Sequence, residues 1–196
     1  MKVWSEDGVR RTVALVAALN VAYFCLEFTI ALVIGSVSLF ADSIDFLEDT
    51  SLNCLIFVAL RWSDRWRARV GMALSGILLA PSIATLWMAW HKFVLPAPPE
   101  ALALSLTGIG ASGVNFTCAL VLARYRHHSG SLMKAAFLSA RNDVLANLAI
   151  VAAGLVTAYT LSWPDLVVGL AIAAINADAA RKVWSAARQE HLAAEA

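Results

Sequence analysis

Charge is scarce in this chain. Only 15% of its 196 residues are Asp, Glu, Lys or Arg, against about 25% in an ordinary soluble domain. Apolar residues make up 60%, where about 45–50% is usual, and the mean hydropathy is +0.71. This balance excludes a water-soluble globular protein and puts nearly all of the chain in a bilayer. Cysteine is also sparse. Cys25, Cys54 and Cys118 are odd in number, far apart, and set in apolar runs. They exclude a disulfide framework and a CxxC metal motif, and are expected to be buried as small apolar side chains. Histidine is missing from every apolar run: His91, His127, His128 and His191 fall in loops or near the C-terminus. A net charge of +1 offers nothing to a polyanion, and no nucleic-acid partner is expected. Linkers, low-complexity tracts and strong internal repeats are absent. The opening MKVWSEDGVRR carries acids, and the apolar run behind it is too long for a signal-peptide core. The first helix is therefore expected to act as the insertion signal.

What remains is a series of apolar stretches, each of about 20 residues, the length that crosses a bilayer. Six fit: Thr12–Ile34, Leu39–Leu60, Val70–Trp90, Ala101–Ala123, Leu132–Leu161 and Pro164–Val183. Gly35-Ser36 predicts a tight turn, and Arg61–Arg69 a basic loop. Pro96, Pro98 and Pro99 predict a break, as does Arg124–Gly130. Pro164 opens the sixth span at a tolerated first-turn position. Pro81 predicts a kink in the third. In this layout Lys2, Arg10, Arg11, Arg61, Arg65, Arg67, Arg69, Arg124, Arg126, Lys134, Arg181, Lys182 and Arg188 fall on one side, with only Lys92 on the other. The positive-inside rule then makes both termini cytoplasmic. Trp62, Trp66, Trp87, Trp90, Trp163 and Trp184 lie near span ends, as an aromatic belt requires. The predicted fold class is an all-α integral membrane bundle of six transmembrane helices. Residues 1–184 form the transmembrane domain and 185–196 a short cytoplasmic tail, expected to extend the sixth helix. Gly108, Gly110, Ser112 and Gly113 in the fourth span would let a neighbouring helix approach closely.

Acids interrupt two of these spans. The second carries Asp42, Asp45, Glu48 and Asp49, and the fifth carries Ser139, Asn142 and Asp143. Intramembrane carboxylates are expensive and are rarely retained without a role. Taking Asp42 as zero, Asp45 lies at about 300°, Asp49 at about 340° and Glu48 at about 240° around the helix. Ser139, Asn142 and Asp143 likewise share a face. Asp45 and Asp49 lie roughly 10–15 Å from one end of their span, and Asp143 about 15 Å from the opposite end of its own. The two sets thus meet near mid-membrane, where Asp45, Asp49 and Asp143 supply three anions and Ser139 or Asn142 a neutral oxygen. Such a pocket suits a small divalent cation. Without it, three carboxylates at low dielectric cannot all stay charged, so protons take the cation's place. One site that exchanges a metal for protons is the physical basis of antiport. The competing structural role is ion pairing with Arg141. That residue sits about 200° from Asp143, and is expected to neutralise Glu27, Glu48 or Asp178 instead.

The second-span residues Gly35-Ser36-Val37-Ser38-Leu39-Phe40-Ala41-Asp42-Ser43-Ile44-Asp45-Phe46-Leu47-Glu48-Asp49 resemble the second-helix motif of the cation diffusion facilitator family. The fifth-span run Ser139-Ala140-Arg141-Asn142-Asp143-Val144-Leu145-Ala146-Asn147 resembles its fifth-helix motif, with serine where that family has histidine or aspartate. Asn20, Glu27 and Pro164–Gly169 also fit. The resemblance implies Asp45, Asp49, Asp143 and Ser139 as transport-site ligands, with Asp42, Asn142, Glu48, His127 and His128 as possible accessories. It implies export of zinc, cadmium or cobalt in exchange for protons, by alternating access, in a homodimer. The metal would be a transported substrate, and no fixed cofactor is expected. The location would be the lipid bilayer, the inner cell membrane in a prokaryote. Two departures stand out. The family's usual cytoplasmic metal-binding domain is expected to be absent. The proposed ligands are all oxygens, which suits a harder ion such as manganese or iron better than zinc. A membrane metalloenzyme would need a nucleophile and histidine ligands, and Ser139 alone fits poorly. A metal sensor would need more than the short tail.

Overall fold

In the computed structural model, residues 6–59, 69, 83–125, 130–159 and 163–193 are described, and they form helices joined by short connections. In chain order these are α1 (Glu6–Ile34), α2 (Val37–Ala59), α3 (described over 83–94), α4 (Ala101–Ala123), α5 (Gly130–Thr157) and α6 (Trp163–Ala193). The fourth span has the boundaries expected from hydropathy. α1 and α6 run further, to Glu6 and to Ala193. Helix ends are set by residues that break the backbone ladder, so a polar but helix-compatible flank extends a helix past its apolar run. Most of the expected third span, with Pro81 and the basic loop 61–68, lies outside the described residues.

Gly35 makes the first turn. Its φ of 64° is left-handed, a conformation that glycine adopts without a Cβ penalty. Ser36 N–H bonds Ala31 O at 3.0 Å, closing α1 with a Schellman-type bond. Ser36 Oγ then accepts from Leu39 N–H at 3.2 Å, capping α2. One residue ends a helix and the next begins its neighbour.

α1, α2, α5 and α4 pack in a ring, and α6 lies across α2 and α5. The core has two apolar layers. Val13, Val16, Cys118, Ala119, Leu122, Ala136 and Ala140 form the one nearer the start of α1. Ala31, Leu39, Phe40, Ala41, Ile44, Leu104, Ile150, Ile172 and Ala173 form the one nearer the α1–α2 turn. Interspersed with them are the buried polar residues Asn20, Glu27, Asp42, Asp49, Asn53, Asn115, Asn147 and Asn176. The outer surface is apolar instead, with Val33 80% exposed and Leu106, Leu120, Leu145 and Ile175 also facing out. So much exposed hydrocarbon would drive aggregation in water but matches lipid. Gly8–Ile34, Ala101–Ala123 and Ala136–Thr157 are long and apolar enough to cross a membrane. The four acids of α2 keep it from that set.

Small residues in α4 admit neighbours at two of the expected positions. A Cβ on Gly108 would crowd Val151 and Ile150 of α5, and one on Gly110 would strike the Tyr23 hydroxyl of α1. Gly113 faces open space. Burial of all three cysteines is corrected: Cys118 is buried, but Cys25 and Cys54 are exposed on the outside of the bundle. An apolar run says that a residue is in the membrane, not which side of the helix faces protein.

At the α1–α2 turn, one carboxylate collects five donors. Asp165, at the start of α6, accepts from Ser36 Oγ (2.6 Å), Ser38 Oγ (2.6 Å), Val37 N–H (3.0 Å) and Ser38 N–H (3.1 Å). Lys92 of α3 adds an ion pair at 2.6 Å, and its ammonium also donates to Gly35 O at 2.7 Å. Asp165 is 0% and Lys92 6% exposed. Three helices are thus tied at one end by a buried charge pair with its hydrogen bonds satisfied. One turn along α6, Gly169 lets the backbones touch: a Cβ there would lie 2.7 Å from Val37 C and 2.8 Å from Ser38 N.

Removing one partner of a buried pair costs about 3–5 kcal/mol. Asp165→Ala is therefore expected to lower the thermal unfolding midpoint in detergent strongly, because Lys92 keeps only Gly35 O. Lys92→Met should cost less, since Asp165 retains four donors. Equal losses in the two variants would contradict this asymmetry. Gly169→Ala should cost about 1–3 kcal/mol by overpacking, because the atoms it meets are backbone and cannot turn aside; an unchanged midpoint would rule that out.

Candidate metal-binding site

α2 passes between α1 on one side and α5 with α6 on the other, and its acids divide across that seam. Asp42 turns toward α1, where its carboxyl group faces that of Glu27. Both are fully buried. Asp45, Glu48 and Asp49 turn the other way and line a cavity. The roughly 60° between Asp42 and Asp45 is enough to send them to different neighbours.

α5 meets them with Ser139, Asn142, Asp143 and Ala146, and α6 closes the third wall with Ile172, Ile175 and Asn176. All four residues expected as ligands, Asp45, Asp49, Asp143 and Ser139, therefore line one cavity, with Glu48 and Asn142 beside them. The two helices touch directly where Ser139 Oγ donates to Asp49 Oδ1 at 2.9 Å. The volume is about 200 Å³, and since a water in the liquid takes about 30 Å³, it has room for roughly six. An ion entering here can keep part of its hydration shell. Among the described residues, no group of three His, Cys, Asp or Glu side chains closes tightly enough to hold a metal ion. The acids line the walls of a cavity rather than converging on a point.

The backbone beneath each acid is held the same way in both helices. Asn53 Nδ2 donates to Asp49 O, and Asn147 Nδ2 donates to Asp143 O, each at 2.8 Å. Each amide reaches back one turn along its own helix.

Arg141 does not reach Glu27, one of the three partners expected for it beside Glu48 and Asp178. It is exposed, and its Nη2 donates to Asn142 Oδ1 at 3.3 Å, while Glu27 faces Asp42. Helical phase turned Arg141 away from Asp143 as predicted, but that same phase carries it out of the bundle rather than toward α1. His127 and His128 lie outside the described residues.

Asn176 escaped the sequence reading. It is buried on α6, lines the cavity, and its Nδ2 donates to Ala41 O at 3.3 Å. Ala41 is four residues before Asp45, so this bond reaches the turn of α2 that presents Asp45. The signal was an amide thirteen residues past the start of an apolar helix, but nothing local linked α6 to the acids of α2. Asp165 and Lys92 were missed as a pair for the same reason: 73 residues separate them.

The model of the cation efflux transmembrane domain family matches residues 13–190, nearly the whole chain. No curated protein gives a significant match. The family match and the apolar helices mark an integral membrane protein, and a transporter rather than an enzyme. With acids from α2 and α5 facing one cavity inside an apolar bundle, and with that match over 13–190, the chain belongs to the cation diffusion facilitator family of cation transporters.

Proposed function

We propose that this protein exports a divalent transition-metal ion across the cytoplasmic membrane in exchange for protons. The observation that carries the proposal is the shared cavity in which Asp45 and Asp49 of α2 face Ser139 and Asp143 of α5. Three carboxylates in a partly hydrated space within an apolar bundle need compensating positive charge. A doubly charged ion supplies it in one state and protons supply it in the other. Asp45, Asp49 and Asp143 act as the charged ligands. Ser139 is the fourth: its hydroxyl, which bridges to Asp49, rotates to offer the ion a lone pair. Glu48 and Asn142 stand at the cavity wall as accessories. His127 and His128 would capture metal at the cytoplasmic mouth.

Zinc, cadmium and cobalt are the first candidates by family. The cavity lining favours a second choice, manganese or iron, because every polar side chain on it offers oxygen or amide and none offers imidazole or thiolate. Six spans, cytoplasmic termini, and residues 1–184 acting as the whole transport unit complete the reading. So does a homodimer formed through the helices that alternates access by rocking.

Reconstituted vesicles loaded with a metal-sensitive dye and given a pH gradient test the core of this reading. Wild type is expected to move metal down the coupling gradient, and Asp49→Ala to abolish the flux; equal flux in both would remove Asp49 from the mechanism. Ser139→His adds an imidazole and should raise zinc transport relative to manganese. An unchanged preference among zinc, cadmium, cobalt and manganese would mean that residue 139 does not touch the ion.

A further inference from the structure

α6 closes the metal cavity with two isoleucines and one amide, Asn176. Asp165, Gly169, Ile172 and Asn176 follow one another at intervals of four, three and four residues, so they share one face of the helix. Asp165 is held in the joint at the α1–α2 turn, and Gly169 presses on the backbone of α2. Ile172 and Asn176 reach the cavity wall. Asn176 thus stands on a helix face that two earlier contacts have already fastened to α2. It is 4% exposed.

Chemistry settles which way its amide is turned. The end that meets Ala41 O at 3.3 Å meets a carbonyl, so it is the NH2 end. Oδ1 then points away from that carbonyl. Among the described residues no group donates to it. Nor is it shut in. The partnerless amide oxygens of Asn53, Asn115 and Asn147 are sealed inside the bundle, whereas Asn176 borders the cavity. Ala41 and Asp45 are one turn apart on the same face of α2, so an amide held at Ala41 O stands on the side of α2 that presents Asp45. An amide oxygen and carboxylates that line one space are all acceptors. What fits among them is a donor or a cation.

We infer that Asn176 Oδ1 is a ligand of the transported ion, that α6 therefore joins α2 and α5 in building the site, and that this oxygen biases the site toward manganese relative to zinc. The inference rests on the transport site proposed above. A neutral oxygen adds a coordination position without adding to the negative charge of Asp45, Asp49 and Asp143. Manganese suits octahedral, all-oxygen sites that include carbonyl groups and water. Zinc is usually tetrahedral and takes thiolate, imidazole or carboxylate. An amide oxygen thus completes the shell of the first and is surplus to the second. The bond from Nδ2 to Ala41 O holds the amide in place before the ion arrives, so its ordering costs little at the moment of binding.

Calorimetric binding of manganese and of zinc to the full chain in lipid tests this. Asn176→Leu removes the oxygen and should raise the manganese dissociation constant by about tenfold, while that for zinc stays within about threefold. Asn176→Asp separates a ligand from a purely structural residue. It keeps an oxygen at the same distance from the backbone but loses the N–H that Ala41 O accepts. A ligand predicts manganese binding at least as tight as in wild type. If Asp and Leu weaken binding alike, Asn176 only holds α6 to α2 and the inference is overturned. Asn176→His gives a direct reading, since imidazole Nδ1 stands three bonds from Cα, as Oδ1 does. The electron spin-echo signal of bound manganese should gain the modulation of a coordinated nitrogen that wild type lacks. No such gain overturns the inference, even where Asn176→Leu does not fold. Asp49→Ala distinguishes the two levels of failure. If it binds manganese as wild type does, the ion is not in this cavity and the proposed transport site itself fails. If it loses binding while Asn176→Leu keeps both metals unchanged, the transport site stands and only the role of Asn176 falls.

Discussion

A carboxylate in the middle of an apolar bundle has to be matched by a fixed cation, a proton or a mobile ion, because the surroundings do not screen it. This bundle uses different answers at different places. Asp165 has a permanent partner in Lys92 and four further donors, so it serves as a fixed joint. Glu27 and Asp42 face each other, one buried carboxyl group against another. Asp45, Asp49 and Asp143 face a space large enough for a hydrated ion. The same chemical group is a fixed joint, half of a buried acid pair or part of a cavity wall according to what stands opposite it.

The apolar layers make this division possible. They surround the buried polar groups with hydrocarbon and leave the outside of the helices to lipid. Since lipid is as apolar as leucine, helix association rests on close packing and on interhelical hydrogen bonds. Gly108, Gly110 and Gly169 supply the first, and the Asp165 joint, Ser139–Asp49 and Asn176–Ala41 the second. Several of these bonds also shape the cavity, so cohesion and function share the same polar groups.

α6 has more work than its apolar sequence suggests. It begins in the Asp165 joint, presses its backbone on α2 at Gly169, and reaches the cavity wall at Asn176. Three attachments along one face tie it to α2. The contact from α5 to α2 includes the side-chain bond Ser139–Asp49.

Local order in the chain was enough to find most of the helices, the Gly35 turn, the break at Pro96, and the acids of α2 and α5. Hydropathy, helical period and breaker residues are properties of neighbours in sequence. Phase also separated Arg141 from Asp143 without any knowledge of the partner helices. Phase alone, however, put Asp42 in one stripe with Asp45 and Asp49, and could not say that α1 lay on one side of that stripe and α5 on the other. The exposure of Cys25 and Cys54, the outward-facing Arg141, the Lys92–Asp165 pair and the arrival of Asn176 at the cavity were likewise decided by which helices became neighbours. Those contacts join residues that are dozens of positions apart, and an apolar run of twenty residues carries no mark of the face it will present to another.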